Sequence, residues 1–231
     1  MSILINSSDT VQFHNNGSLS FDGANDYATA DGTRTVIDPD QGTVSAWVKL
    51  DSTSINGAVW KASVDTDNLL AISYNNSQQK IQMTFKGDGT AKVADGAFAV
   101  EGNDTWYNVI LQWDTDPSAN YVKGYVDGEL LETTTELPEF TGSLANVNIG
   151  RNSVAANSYF SGHITHVSVF NTVVQPGLLY NGGSPGNLNG VTGLVAWYKM
   201  NEGSGTSVAD SSPNSNAATL IHAPSWTTDT K

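Results

Sequence analysis

Trp106-Tyr107-Asn108-Val109-Ile110-Leu111-Gln112-Trp113-Asp114 and, after a short gap, Tyr121-Val122-Lys123-Gly124-Tyr125-Val126-Asp127-Gly128-Glu129 decide the fold class. Side chains of an extended strand alternate between two faces. In the first stretch this sets Tyr107, Val109, Leu111 and Trp113 against Trp106, Asn108, Ile110 and Gln112. In the second it sets Val122, Gly124 and Val126 against Tyr121, Lys123 and Tyr125. Asp127-Gly128 suits a type I′ turn, which needs positive φ at both central residues. Leu130–Thr134 then returns as a third strand. Two apolar alternations joined by a tight turn predict an antiparallel hairpin.

The same texture extends in both directions. Strands are expected at Ser18–Phe21, Tyr27–Ala30, Thr43–Leu50, Ala58–Trp60, Leu69–Tyr74 and Lys80–Lys86, and beyond the hairpin at Asn146–Ile149, Gly162–Phe170, Leu194–Met200 and Ala218–Ile221. Gly, Asn and Asp separate them, and Lys86-Gly87-Asp88-Gly89 reads as a second tight turn. Helical periodicity is confined to one short candidate, opened by Pro176, packed through Leu178 and Leu179 and ended by Gly182. Many short strands with one helical turn predict an all-β, two-sheet antiparallel jelly-roll sandwich.

Strand phase also nominates a binding face. In Thr43–Leu50, the residues Val44, Ala46, Val48 and Leu50 point one way, and Ser45, Trp47 and Lys49 the other. If this strand shares a sheet with the hairpin, the outer face carries Trp47, Asn108, Gln112, Tyr121 and Tyr125. Aromatic planes stack on sugar rings and amides bond their hydroxyls, so these five are the candidate carbohydrate-binding residues. Taken singly, each of these aromatics fits packing in a core or under a loop better than sugar contact.

Composition narrows the function classes. The chain has 231 residues with 23 acidic and 10 basic side chains, a net charge of −13 that repels phosphate backbones and anionic membranes. Neither a nucleic-acid partner nor membrane insertion is therefore expected. Zero cysteines exclude thiol catalysis and Cys-ligated metals. Ser, Thr and Asn, 24, 23 and 22 residues, make up close to a third of the chain. The start, MSILINSSDT, lacks the basic residue and long apolar run of a secretory signal.

Catalytic and metal patterns are weak. Glu129 and Glu132 lie three apart, which on a regular strand puts them on opposite faces, and Asp65/Asp67 and Asp114/Asp116 sit in turn-like sequence. His163 and His166 are likewise three apart and expected to diverge. Asp26, Asp210 and the Asn214/Asn216 loop could bind calcium, but bonding backbone amides in turns is the preferred role. No cofactor is required on this reading, and calcium stays open.

Several segments resemble, in order, the laminin-G-like and concanavalin A-like sandwiches. Leu19-Ser20-Phe21-Asp22-Gly23-Ala24-Asn25-Asp26-Tyr27 is similar to the family's opening segment, and Thr43-Val44-Ser45-Ala46-Trp47-Val48-Lys49 to its next core strand. Trp106-Tyr107-Asn108-Val109 and Gly124-Tyr125-Val126-Asp127-Gly128-Glu129 resemble its central hairpin, and Ile149-Gly150-Arg151-Asn152 and Phe160-Ser161-Gly162-His163-Ile164 its closing strand. The resemblance implies the concanavalin A-like fold and a calcium ligand on the closing strand, a position held here by Thr165. It also covers laminarinase-type hydrolases, whose Glu-x-Asp-x-Glu run is missing from this sequence.

Gly193-Leu194-Val195-Ala196-Trp197-Tyr198-Lys199-Met200-Asn201-Glu202-Gly203 is similar to a segment that opens many members of this family, yet it comes last here. That order resembles some marine bacteriophage structural proteins and implies a circular permutation. The expected organisation is an N-terminal extension over residues 1–17 and one sandwich over 18–231. Residues 193–226 supply edge strands beside Ser18–Phe21. The expected function is a non-catalytic module on an extracellular surface or virion, with a glycan or protein surface as partner. A purely structural component is the alternative, and a glycoside hydrolase the remote one.

Overall fold

The computed structural model describes residues 15–100, 104–154 and 157–231. Its strands form two antiparallel sheets packed face to face. The first sheet contains β1 (Ser18–Asp22), β3 (Gln41–Leu50), β8 (Trp106–Asp114), β9 (Tyr121–Val126), β10 (Glu129–Thr135), β12 (Ser161–Phe170), β13 (Leu194–Tyr198) and β16 (Ser225–Thr227). Their order is β10-β9-β8-β3-β12-β1-β16, with β13 also paired to β12. The second sheet contains β2 (Tyr27–Thr29), β4 (Gly57–Ser63), β5 (Leu69–Asn75), β6 (Lys80–Gly87), β7 (Thr90–Ala94), β11 (Asn146–Ile149), β14 (Ser207–Val208) and β15 (Ala218–Ile221). Their order is β14-β15-β2-β11-β4-β5-β6-β7. The jelly-roll sandwich of the concanavalin A-like kind is thus the architecture.

The alternation in the central hairpin holds. Val44, Ala46, Val48, Val109, Leu111, Trp113, Val122 and Val126 all enter the core between the sheets, where they meet Trp60, Leu70, Ile72, Met83 and Phe85. Asp127 and Gly128 have φ of +51° and +80°, as a type I′ turn demands, and Val126 pairs with Glu129 across it. The only α-helix among the described residues, α1, is Pro176–Tyr180. It ends one residue earlier than expected, on the left-handed Asn181.

Bulges change which side chains share a face. An extra residue in β12 between Thr165 and Ser168, where His166 takes φ +54°, lets Ile164 and Val167 both reach the core. It brings His166 to the outer side, where His163 already lies, so the two histidines do not diverge. A bulge at Val195 in β13 moves Leu194 out of the core set of Ala196 and Tyr198 and onto the outer side with Trp197. Trp197 is fully buried.

The tail pairs into both sheets, with partners other than those expected. β13 continues along the edge of β12 that β1 occupies further down, and β15 pairs with β2. β1 pairs with β12 on one edge and, on the other, with the short β16, which sequence patterning misses along with β7 and β14. Two oxygens of Asp210 fasten this region by accepting four hydrogen bonds, from Trp197 N (2.8 Å), Ser212 N (2.8 Å), Ser212 Oγ (2.8 Å) and Asn216 N (2.9 Å). No helix among the described residues is long and apolar enough to cross a membrane.

Candidate functional site

Strands β3, β8 and β9 do bring the five expected residues to the outer face of the first sheet, but they do not form an accessible platform. The outer face also carries Ile110 and Phe170, and an apolar patch of that size must be covered. The segment between β12 and β13 covers it, packing Val174, Leu179 and Leu188 against Ile110, Phe170 and Trp197. Tyr180 stacks on Trp47 at 5.9 Å and 21°. The Asn108 amide donates to Ser45 Oγ (3.0 Å), and the Gln112 amide donates to the Val174 carbonyl. Trp47, Asn108 and Gln112 are accordingly 1%, 0% and 1% exposed. Trp47 and Gln112 hold the covering segment, and Asn108 ties β8 to β3. Tyr121 and Tyr125 are half-buried; Lys123 Nζ sits 3.9 Å from the centre of the Tyr121 ring, and Tyr125 packs against the covering cluster. The last residues of the chain close the rest of this face, with Asp229 bound to Lys49 and accepting from Trp106 Nε1 at 3.3 Å.

The outer face of the second sheet is different. In β6 the alternation sends Ile81, Met83 and Phe85 inward, so Lys80, Gln82, Thr84 and Lys86 point out. Their partners on β5 put Ala71, Ser73 and Asn75 on the same outer side, and β4 adds Ala58 and Lys61. The loop after β11 lies over this surface: Ala58 N donates to the Ser158 carbonyl (2.9 Å), Lys61 Nζ to Asn152 Oδ1 (2.7 Å), and the hydroxyls of Ser63 and Ser153 meet at 2.6 Å.

Between loop and sheet run two adjoining hollows of about 200 and 190 Å³ that share Ser73 and Ser158. The first is walled by Asn56, Asn75 and Gln82, the second by Lys61, Thr84 and Asn152 over a floor of Leu69 and Ala71. Gln82 is fixed by Asn75 (3.2 Å) and Asp95 (2.8 Å). Burial, with a smaller contribution from Lys86, brings Lys61 down to about 8. Further along the same face, Tyr27 carries Arg151 over its ring at 3.8 Å and has Tyr159 and His222 at 6.5 and 6.3 Å. Sequence reasoning did not nominate these groove residues. The signal is present in the polar phase of Lys80–Lys86, but its neighbours become visible only through the pairing of β4, β5 and β6.

Carboxylates serve the turns. Asp65 Oδ1 accepts from the amides of Asp67 (2.8 Å) and Asn68 (2.9 Å), and Asp116 Oδ1 from Ser118 (2.8 Å). Asp114 Oδ1 accepts from Asp116 N (3.0 Å). A bulge between Leu130 and Glu132 corrects the expected divergence of the glutamates: their partners Val126 and Gly124 share a face, so Glu129 and Glu132 do as well. Glu132 is nonetheless committed to the amides of Asp95 (3.1 Å) and Gly96 (3.0 Å). Among the described residues no group of three His, Asp or Glu could hold a metal ion. Asp26 and Asp210 bond backbone amides, and the Thr165 hydroxyl, with one proton to give, lies 2.9 Å from both Gly17 O and Lys199 O on the outer face.

The sequence matches the Laminin_G_3 family model, described as the concanavalin A-like lectin/glucanases superfamily, over residues 22–177. No curated protein sequence matches. Among solved structures, a candidate carbohydrate-binding protein from Bacteroides ovatus ATCC 8483 superposes with a TM-score of 0.64 at 16% identity. The match covers 92% of this chain and 62% of that one, so the chain spans less than two thirds of that relative. The CBM40 module of Ruminococcus gnavus IT-sialidase gives 0.59 at 20% identity, covering 71% of this chain and 95% of the module. A heptameric SAP-like pentraxin from Limulus polyphemus gives 0.58 at 14% identity over 90% and 96% of the two chains.

Proposed function

Because the chain belongs to the concanavalin A-like lectin/glucanase superfamily, we propose that it is a non-catalytic carbohydrate-binding module. The observation that carries this reading is the groove on the outer face of the second sheet. It is lined by fixed amides and hydroxyls from Asn75, Gln82, Ser73, Thr84 and Ser158, the groups that exchange hydrogen bonds with sugar hydroxyls. Similar structures support it: one is the CBM40 module bound to alpha2,3 sialyllactose, and another is a domain of an extracellular arabinanase in complex with arabinotriose. On this reading the ligand lies on the outer face of the second sheet, and Tyr121 and Tyr125, on the outer face of the first, do not reach it.

On this reading residues 18–231 act as one module, with residues 193–226 standing where the family's opening segment usually stands. It works in a larger extracellular or virion assembly. The commitment of Asp65 and Asp116 to amides of their own turns, and of Glu132 to the amides of Asp95 and Gly96, supports a non-catalytic role. A glycan array, run with and without calcium, tests the proposal together with Asn75→Ala and Gln82→Ala. Binding that both substitutions weaken is expected. Absence of any glycan binding would favour a purely structural surface component, and reducing-sugar release that one acid substitution abolishes would establish a hydrolase.

A further inference from the structure

Resting on the glycan-binding reading, we infer that the groove of the second sheet selects an acidic sugar, whose carboxylate or sulfate oxygen takes the ammonium of Lys61. The lysines of this face are not equivalent. Lys80 has Asp95 at 3.4 Å, and Lys86 has Asp67 at 3.5 Å. Across the molecule Lys49 has two aspartates, Asp104 and Asp229. Lys61 has no carboxylate within ion-pair distance among the described residues. Its bond goes to a neutral amide oxygen, Asn152 Oδ1, at 2.7 Å. An ammonium has three donors, so two are left for the groove it lines.

The chain around it makes this placement more telling. Lys92, Lys123 and Lys231 also have no ion pair among the described residues, but none of them lines the groove; Lys61 alone joins a missing counter-charge to a place in its wall. Neither hollow has an Asp or Glu in its wall. A half-buried cation without a counter-charge costs stability that folding gains nothing from. That cost is offset when an anion enters the groove, and the bond formed is charge-assisted on both sides. Beside Lys61, Thr84, Ser73 and Ser158 supply hydroxyls for the sugar ring, and Leu69 with Ala71 gives an apolar floor. The acid-free wall also lessens, close to Lys61, the repulsion that an anionic glycan meets on so acidic a surface.

The experiment is an array of sialylated, uronate-containing and sulfated glycans beside their neutral counterparts, followed by titration calorimetry of the strongest binder. Hits confined to acid-bearing glycans are expected; the sialylated and uronate arms against the sulfated arm decide which acid is taken. Lys61→Met should weaken that binding by about tenfold or more, while Lys61→Arg, which keeps a charged donor, should stay within a few-fold. Wild-type binding should also weaken as salt is raised, a measurement that stands even if a variant fails to fold. If Lys61 only fastens the loop, the substitutions shift the melting temperature and leave the acid-over-neutral preference intact, which overturns the inference. Neutral glycans binding as well as acidic ones would overturn it while leaving the glycan-binding reading standing; no binding to any glycan removes both.

Discussion

Asp210→Ala should destabilise the protein by about 3–5 kcal/mol, because charged acceptors contribute roughly 1.5–3 kcal/mol per bond and a buried donor left alone costs about 1–3 kcal/mol. The carboxylate is 8% exposed and accepts four hydrogen bonds. These are not additive. The half-buried Asn216 amide lies in a turn that water can reach after substitution, whereas Trp197 and Ser212 are 0% and 5% exposed and their amides would be orphaned. The turn it holds also presents the Asn216 carbonyl to the Tyr198 hydroxyl at 2.8 Å, so loosening it disturbs β13 from two sides. For a chain of this length each kcal/mol moves Tm by about 2–4 °C, which gives a drop of roughly 6–20 °C. Asp210→Asn keeps one oxygen for Trp197 and Ser212 but offers an NH₂ to the Asn216 amide, so about 1–2 kcal/mol is expected. Scanning calorimetry with urea unfolding measures both. An alanine variant melting within about 2 °C of the wild type would refute the reasoning.

Trp47→Ala should cost about 3–5 kcal/mol, as for a large buried aromatic, with glycan binding in the second-sheet groove unchanged; a loss of binding at constant Tm would return the site to the first sheet. His166, pushed by burial and then by Lys199 from its usual 6.5 down to about 3, makes stability depend on pH. Between those values the unfolded chain holds one more proton, so stability is full above about pH 6.5 and falls by about 1.4 kcal/mol per unit as pH drops. His166→Asn, which tolerates the left-handed backbone and can still accept from Trp197 Nε1, should flatten that slope in urea titrations between pH 4 and 6; an unchanged slope would assign it to other groups. Deleting Gly193–Lys231 should leave a chain that aggregates or melts early, since it strips partners from β1, β2 and β12; a monomeric truncation with unchanged Tm would contradict the pairing.

What was legible in the sequence was whatever obeys strict alternation. Val44, Val109 and Val122 declare their face by position alone, and Asp127-Gly128 declares its turn by chemistry. Bulges are silent because one inserted residue resets the phase without a composition mark. That is why His166 joins His163, and Glu132 joins Glu129, on one face where the spacing implied two. The covering of the candidate face was illegible for another reason. Trp47, Asn108 and Gln112 do point outward, but whether an outward face meets solvent depends on a distant segment. The apolar Ile110 and Phe170 were the warning that this face needed cover. Lys61 drew no attention because an isolated lysine means little until the carboxylates around it can be counted in space.

The pairing of β1 with β16 governs how the protein answers a pulling force. Ser18 lies opposite Thr227 and Ser20 opposite Ser225, so the chain enters one strand and leaves the other at the same end. Asn15 reaches Thr230 Oγ1 at 3.1 Å, and the Ser18 hydroxyl reaches the Asp229 carbonyl, just outside that end. Tension between residues 15 and 230 therefore acts on these latches first and then on the ladder bonds one after another, as a zipper opens. Strands pulled lengthwise past each other would instead share the force among all their bonds at once. A tether at both ends thus opens this margin at low force, β16 coming away before the body of either sheet feels strain.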